Sequence, residues 1–493
     1  MLPGPGLPHH RAKDAFDHGG APWRSDACSD LGSYTRVMPS IERRLFQASQ
    51  YNEFTYRRAV VEDDGTTVQF EYDLISASNH IPFRETVAFP ARLTTVAASK
   101  PQQFEYVVKL LWLAIGLSYW KASAAPTIYV EGGLTDSQRH FLRVLIQKGM
   151  AEYAYRNRDR SCLSPNIVAH TVPVPENTIE PNISSPSRPL VPIGGGKDSI
   201  VTIEALKSDG WRPSGFSVND HRAIERTASI ASVPLLVGHR VISSNLLELN
   251  RAGARNGHVP VTAINSLIAI LTALATNHDS VVFSNERSAS TSNLSWEGID
   301  VNHQWSKSLE FELLLRSQLA GIGCDVEYFS LVRPFSELRI MRNFARHTAF
   351  HYTFASCNRA YVKDNRIPNG RWCLNCDKCR FVYLSLAPFL GREGLVRIFG
   401  ADMFDDLTQI AGFEELLGLT GHRPLECVGE VNECRAALQL VADHPAWERS
   451  AVVSKLVESQ SAIGGSTDLM AVFMASEDHC IPAPFKGAAD AIR

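Results

Sequence analysis

No stretch of this 493-residue sequence approaches the roughly 18 apolar residues that a membrane-spanning helix needs. The longest candidate, around Leu110 to Tyr119, stops at Trp120 and Lys121. A basic surplus is also missing. Lys and Arg number 49 against 52 Asp and Glu, a formal net charge of -3, so no global field favours nucleic acid. Residues 1–37 are rich in Gly, Pro, His and Arg and lack the apolar segment of a secretory signal. They read as a disordered leader upstream of Met38. Ten cysteines are too sparse for a disulfide scaffold in so long a chain, and without an export signal a reducing cytoplasm is the expected compartment. No internal repeat of solenoid length is present.

What is present is an ordinary globular balance, 44% hydrophobic and 20% charged, in a chain long enough for two or three domains. Phe54 to Leu74 alternates as two strands around an Asp64-Gly65 hairpin turn. Helical patterns follow over Gln103–Lys121 and Thr135–Asn157, with a strand at Thr127–Val130 between them. Pro173 to Pro189 is rich in Pro, Ser and Asn and reads as a linker. Beyond it, candidate strands at Leu190–Ile193, Gly215–Val218, Leu235–Val237, Val281–Ser284 and Val326–Leu331 alternate with candidate helices. These are Asp198–Ser208, Ile224–Ile230, Ala263–Asn277, Ser308–Ala320 and Glu337–His347. Such alternation predicts an α/β fold with a doubly wound parallel sheet. The expected organisation is a leader over 1–37, an N-terminal α+β domain over 38–185, the sheet domain over 186–398 and a helical region over 399–493.

In such a sheet, ligands sit at the carboxyl ends of strands. Pro192 to Ser199 reads PIGGGKDS and stands there, between a strand and a helix start. Glycines let the backbone approach a phosphate, and the helix N-terminus adds N–H donors and partial positive charge. The Walker A spacing is absent: Asp198 follows Lys197, and Val191 stands where the first glycine is required. The dinucleotide fingerprint fails as well, because Ser199 takes the place of its third glycine. The segment more closely resembles the PP-loop of ATP pyrophosphatases, Ser-Gly-Gly-x-Asp-Ser, with Gly194 at the serine. That resemblance implies ATP bound by Gly194, Gly195, Gly196, Lys197, Asp198 and Ser199. It also implies attack on the α-phosphorus, with Mg²⁺ and Lys197 meeting the charge on departing diphosphate.

Cys373, Cys376 and Cys379 form a C-x2-C-x2-C cluster, with Cys357 upstream as a fourth thiol. Four thiolates at such spacing suit tetrahedral zinc, or an iron–sulfur cluster. Cys162, Cys324, Cys427, Cys434 and Cys480 read as scattered core or surface thiols. A PP-loop followed by cysteines also resembles deazapurine nitrile synthases, which are half as long. Between the loop and the cysteines lie two polar segments. Within them Arg287 and Lys307 are candidates to hold carboxylates, and Glu286, His303 and Glu310 to move protons. His221, His258 and His351 read as surface or core histidines.

Taken together, IGGGKDS, SNERSAS, VNHQWSKSLEFE, WCLNCDKCRFVYLS, GHRPLECVG and the early LLWLAIGLSYWKA resemble the MurL family. Its members are UDP-N-acetyl-α-D-muramoyl-L-alanyl-L-glutamate epimerases of bacterial cell-wall synthesis. The resemblance implies a UDP-linked muramoyl dipeptide as substrate, with neither nucleic acid nor membrane insertion. It implies ATP and Mg²⁺ as reactants; chemistry and placement assign Glu286, Arg287, His303 and Lys307 to the glutamyl centre, and the spacing of the four cysteines suits structural zinc. Other adenylating PP-loop enzymes, and a zinc-bearing nucleotide-binding protein without activity, are the alternatives.

Overall fold

Residues buried on both faces of a sheet must be apolar at consecutive positions, because neighbouring side chains point to opposite faces. Leu190-Val191, Val281-Val282 and Tyr328-Phe329 satisfy this, the first of each pair entering one core and the second the other. A computed structural model describes residues 46–173, 188–361, 367, 371–420, 423–463 and 467–492. The expected leader and nearly all of the expected linker lie outside the described residues.

Twelve strands are formed among the described residues. The first five are β1 (Tyr51–Val61), β2 (Thr67–Ser76), β3 (His80–Ala88), β4 (Thr127–Val130) and β5 (Asn166–Val168). The next five are β6 (Pro189–Pro192), β7 (Ser214–Val218), β8 (Leu235–Val241), β9 (Ser280–Phe283) and β10 (Leu294–Trp296), followed by β11 (Ile299–Val301) and β12 (Glu327–Ser330). Ten of them make one sheet in the order β12-β9-β6-β7-β8-β3-β2-β1-β4-β5, and β10 and β11 form a separate hairpin. The run β12-β9-β6-β7-β8 is parallel throughout. Its strand order reverses between β6 and β9, as in a doubly wound fold. The expected strands and helices of this run are all formed, with ends moved by a few residues.

The N-terminal strands do not form a separate sheet. β8 continues past the expected Val237 to Val241, and its outer residues pair antiparallel with β3. Gly238, His239 and Arg240 carry no apolar signal, which is why the extension is invisible to patterning. Across this joint the half-buried Arg240 donates to Glu85 at 2.5 Å, and Tyr119 Oη donates to the same carboxylate at 2.5 Å. The expected hairpin forms at Asp64-Gly65, where Asp64 accepts from the Thr66 and Thr67 amides.

Helices cover both faces. Pro101–Trp120 packs on Val261–Ala275 over one face. Lys197–Ser208, Glu337–Phe344, Asp377–Phe399 and Val431–Ala442 build the second core on the other. The helix expected over Thr135–Asn157 is broken into Asp136–Val144, a π-helical turn at Leu145–Gly149, and Ala151–Asn157. Gly149 backs directly onto Pro260, where a Cβ would stand 3.1 Å from that ring. The wider turn re-registers the following helix, which begins beside Glu152.

Candidate active site

β6 delivers the glycine loop to the reversal point of the strand order, where a crevice opens between the ends of β6, β7 and β9. Gly195 holds φ +78°, a left-handed conformation that favours glycine. A Cβ at Gly194 would meet nothing within 4 Å, so this position opens onto free space. The loop is pinned by Ala355 N donating to Gly195 O at 3.0 Å. Gly196 caps the helix Lys197–Ser208 without any side-chain bond. Gly194, Gly196, Asp198 and Ser199 line a cavity of about 290 Å³ together with Ser217, Ser284, Asn285, Lys307, Ser356 and Lys378. The Ser284 hydroxyl is buried in this lining without a hydrogen-bond partner in the chain, which fits a polar ligand in the cavity.

Lys197 does not face that cavity. It is buried, 2.6 Å from Asp198 and 2.5 Å from Glu337. Burial works against its charge, but the carboxylates of Asp198, Glu337 and Glu286 outweigh it and hold the ammonium pKa above its ordinary value. The same crowding raises Glu337, first by burial. The expected contact of Lys197 with departing diphosphate is therefore replaced by an internal one, and the cations that line the cavity are Lys307 and Lys378. Glu286 is buried beside this network rather than in the cavity lining.

The expected carboxylate-binding role of Arg287 meets a different setting. Its guanidinium donates to the carbonyls of Met474 and Val472 and borders a second cavity of about 280 Å³, with Lys148, Asp300 and Glu310. Glu310 in turn accepts from the Trp305 indole at 2.7 Å. Arg333, which sequence reading did not single out, organises the region. It is buried against Glu312 and donates to the carbonyls of Glu286 and Lys307, at 2.7 and 2.5 Å.

His303 and Lys307 meet at a thiol. Lys307 Nζ stands 3.3 Å from Cys427 Sγ, and the charge of His303 acts on the same sulfur. The other side of the imidazole, Nδ1, lies 2.5 Å from Glu152 Oε2. Burial opposes the charge on His303, but Cys427 and Glu152 override it and raise its pKa to about 10. Glu152 is likewise opposed by burial yet drawn down to about 2 by His303 and His258. Cys427 falls well below the ordinary thiol value, since Lys307, Lys378 and His303 overcome its burial. His258, its ring 4.6 Å from that of His303, is pushed down to about 3, first by burial and then by its charged neighbour.

Sequence reading took Cys427 as a scattered thiol and His258 as a core or surface histidine, and passed over Glu152. The signal that existed was the segment GHRPLECVG itself, whose cysteine had no partner in sequence. A pH prediction follows. His303, raised from 6.5, contributes stability that is full below about 6.5 and lost as pH rises toward 10. Cys427, lowered from 9.0, contributes stability that grows up to about 9. Between these values the two effects oppose, so the pair leaves stability nearly level. In Cys427→Ser the thiolate is gone and Glu152 is left to hold the imidazolium, so unfolding free energies from urea should fall by up to about 1.4 kcal/mol per pH unit over a narrower window that starts near 6.5. A flat variant profile would contradict the thiolate–imidazolium assignment.

The four expected metal-ligating cysteines also converge. Sγ atoms are 3.9 Å apart for Cys357–Cys376, 3.8 Å for Cys373–Cys379 and 3.5 Å for Cys376–Cys379. All four lie within 4.8 Å of one another. A tetrahedron of thiolates around zinc has edges of about 3.8 Å, so the donor set fits a single ion. A multi-iron cluster would hold its thiolates farther apart. Among the described residues, no helix is long and apolar enough to cross a membrane.

Residues 45–331 match the MurL N-terminal domain and residues 353–470 the MurL C-terminal domain, so the division between them falls after β12. A UDP-N-acetyl-alpha-D-muramoyl-L-alanyl-L-glutamate epimerase of Micromonospora sp. is 40% identical over 456 residues, covering 92% of this chain and 99% of the relative. Its counterpart in Salinispora tropica is 40% identical over 426 residues, covering 86% of this chain and 91% of the relative. One from Xanthomonas oryzae pv. oryzae is 38% identical over 375 residues, covering 76% and 82%. With both domains matched and such relatives aligned along most of their length, this chain is an epimerase and belongs to the MurL family.

Proposed function

We propose that this epimerase inverts the α-carbon of the terminal L-glutamate of UDP-N-acetylmuramoyl-L-alanyl-L-glutamate in peptidoglycan synthesis. ATP first converts the glutamyl carboxylate next to that carbon into an acyl-adenylate with loss of diphosphate, and after inversion water cleaves the mixed anhydride to the free carboxylate and AMP. The observation that carries the ATP step is the glycine loop at the strand reversal, opening on a cavity lined by two lysines and four serines.

The chemistry explains the need for activation. An α-proton beside an ionised carboxylate is barely acidic, because the carbanion would sit against a negative charge. Adenylation masks that charge and lets the electron pair spread into the carbonyl as an enolate. The loop cradles the β- and γ-phosphates, as PP-loops do, and Lys307 and Lys378 meet the charge growing on diphosphate. The free space at Gly194 leaves room for phosphate oxygens, and the neighbouring Ser356 and Ser284 hydroxyls supply donors in place of the family serine. Asp198, a carboxylate in the cavity lining, is the residue suited to hold Mg²⁺, which supplies charge neutralisation when bound. The cysteine quartet holds zinc as a structural brace at the start of the helix Asp377–Phe399. The second cavity, with Lys148 and Arg287, suits the anionic UDP-sugar portion of so large a substrate.

Incubation with ATP, Mg²⁺ and the UDP-linked L-Ala-L-Glu precursor should yield D-glutamate on chiral analysis, with AMP and diphosphate in equal amounts. Formation of ADP and orthophosphate, or inversion without any nucleotide, would overturn the adenylate.

A further inference from the structure

We propose that Cys427 carries the proton between the α-carbon of the activated glutamyl residue and solvent, with Lys307 and the His303–Glu152 pair as its supporting charges. The inference deepens the adenylate reading above and rests on it.

Four of the five cysteines outside the metal-binding quartet that the structure describes share one behaviour. Cys162 and Cys324 are pushed up to about 12 by burial, and Cys434 and Cys480 are raised for the same reason. Cys427 has the opposite environment. Lys307 stands at its sulfur, and the charges of Lys307, Lys378 and His303 outweigh its burial. Lys307, 3.3 Å from that sulfur, also lines the loop cavity. The segment bearing Cys427 is tied to the same wall, because Asn358 borders the cavity and donates to Glu426 at 2.7 Å. The thiol thus stands one hydrogen bond from the lining that the glycine loop completes.

The chain Cys427–His303–Glu152 has the order of an activated nucleophile, a base and a group that orients the base. Glu152 fixes the imidazole through Nδ1, which leaves Nε2 as the ring's other polar atom. Here the thiolate serves as base. In the abstraction step the Cα–H bond breaks and an S–H bond forms. The electron pair moves into the adenylated carboxyl as an enolate. A proton from water, which reaches the open cavity, is then added to the opposite face, and the thiol returns its proton to solvent. His303 and Lys307 remain cationic throughout and stabilise the thiolate at the start and end of the cycle.

The test is run in D₂O with ATP, Mg²⁺ and the UDP-linked precursor, on wild type, Cys427→Ala and Cys427→Ser. AMP release and α-deuterium incorporation are followed separately. AMP release should stay close to wild type in both variants, while deuterium incorporation and D-glutamate fall by at least about 100-fold. Wild-type exchange in either variant overturns the proposal, and so does parallel loss of AMP and exchange, which marks a structural role. Absence of AMP in the wild type is a failure of the adenylate reading instead. An independent arm then judges the thiol: iodoacetamide at neutral pH, mapped by mass spectrometry, should label Cys427 faster than Cys162, Cys324 and Cys434. Equal or slower labelling at Cys427 overturns its activation.

Discussion

Lys197→Met should lose about 3–5 kcal/mol of stability in urea denaturation, far more than a surface lysine is worth. Lys197 is 4% exposed and neutralises a pocket of three carboxylates, Asp198, Glu337 and Glu286. Removing the cation leaves Glu337, itself 4% exposed, without its partner. The damage extends to the glycine loop, since Lys197 is the first residue of its helix. It also reaches the C-terminal region, because the Glu337 amide bonds Glu433 Oε1 at 3.1 Å. AMP formation should fall with it. The decisive control is Lys197→Met with Glu337→Leu: removing the buried partner with the cation relieves its stranded charge, so the double variant should recover part of the stability, with Asp198 and Glu286 still short of their cation. A single variant within about 1 kcal/mol of wild type would mean that the pair is screened and not load-carrying.

The second large effect is expected at the cysteine quartet. Wild-type protein should carry one zinc per chain by elemental analysis, and Cys376→Ser should lose it along with cooperative melting of the C-terminal region. The scale is set by structural zinc sites in small domains, where binding contributes about 10–16 kcal/mol. Cys376 caps the helix Asp377–Phe399, and that helix packs on Val431–Ala442, so losing the ion unseats the second core as well. Cys427 precedes Val431–Ala442 by a few residues, so the brace and the thiol are mechanically linked. Metal-free wild type that melts like the variant would reduce the quartet to packing.

The strand–helix alternation after Leu190 was legible because strands buried on both faces must be apolar without interruption, and the helices between them must not be. The glycine loop was legible because Gly195 takes a left-handed conformation that favours glycine and because the loop joins two strongly patterned elements. The cysteine quartet was legible in three of its members from spacing, with Cys357 brought in by chemistry. What failed shares a cause. The β3–β8 joint is made by polar residues of β8, and the π-helical turn before Glu152 has the composition of an ordinary helix. Lys197 was read as ligand-facing from its charge, yet it is buried under the loop against Glu337, while Arg287 borders the second cavity and also donates to the carbonyls of Met474 and Val472.

By itself, then, the chain order of residues determined the doubly wound sheet, the place of the phosphate-type loop and the thiol cluster. Each of these is written in contacts between neighbours in sequence. Only the tertiary structure decided which charges face the cavity and which thiol is activated. Cys427, His303 and Glu152 lie 124 and 151 residues apart along the chain, and the electrostatic field at a sulfur depends on distance in space, which no local pattern records.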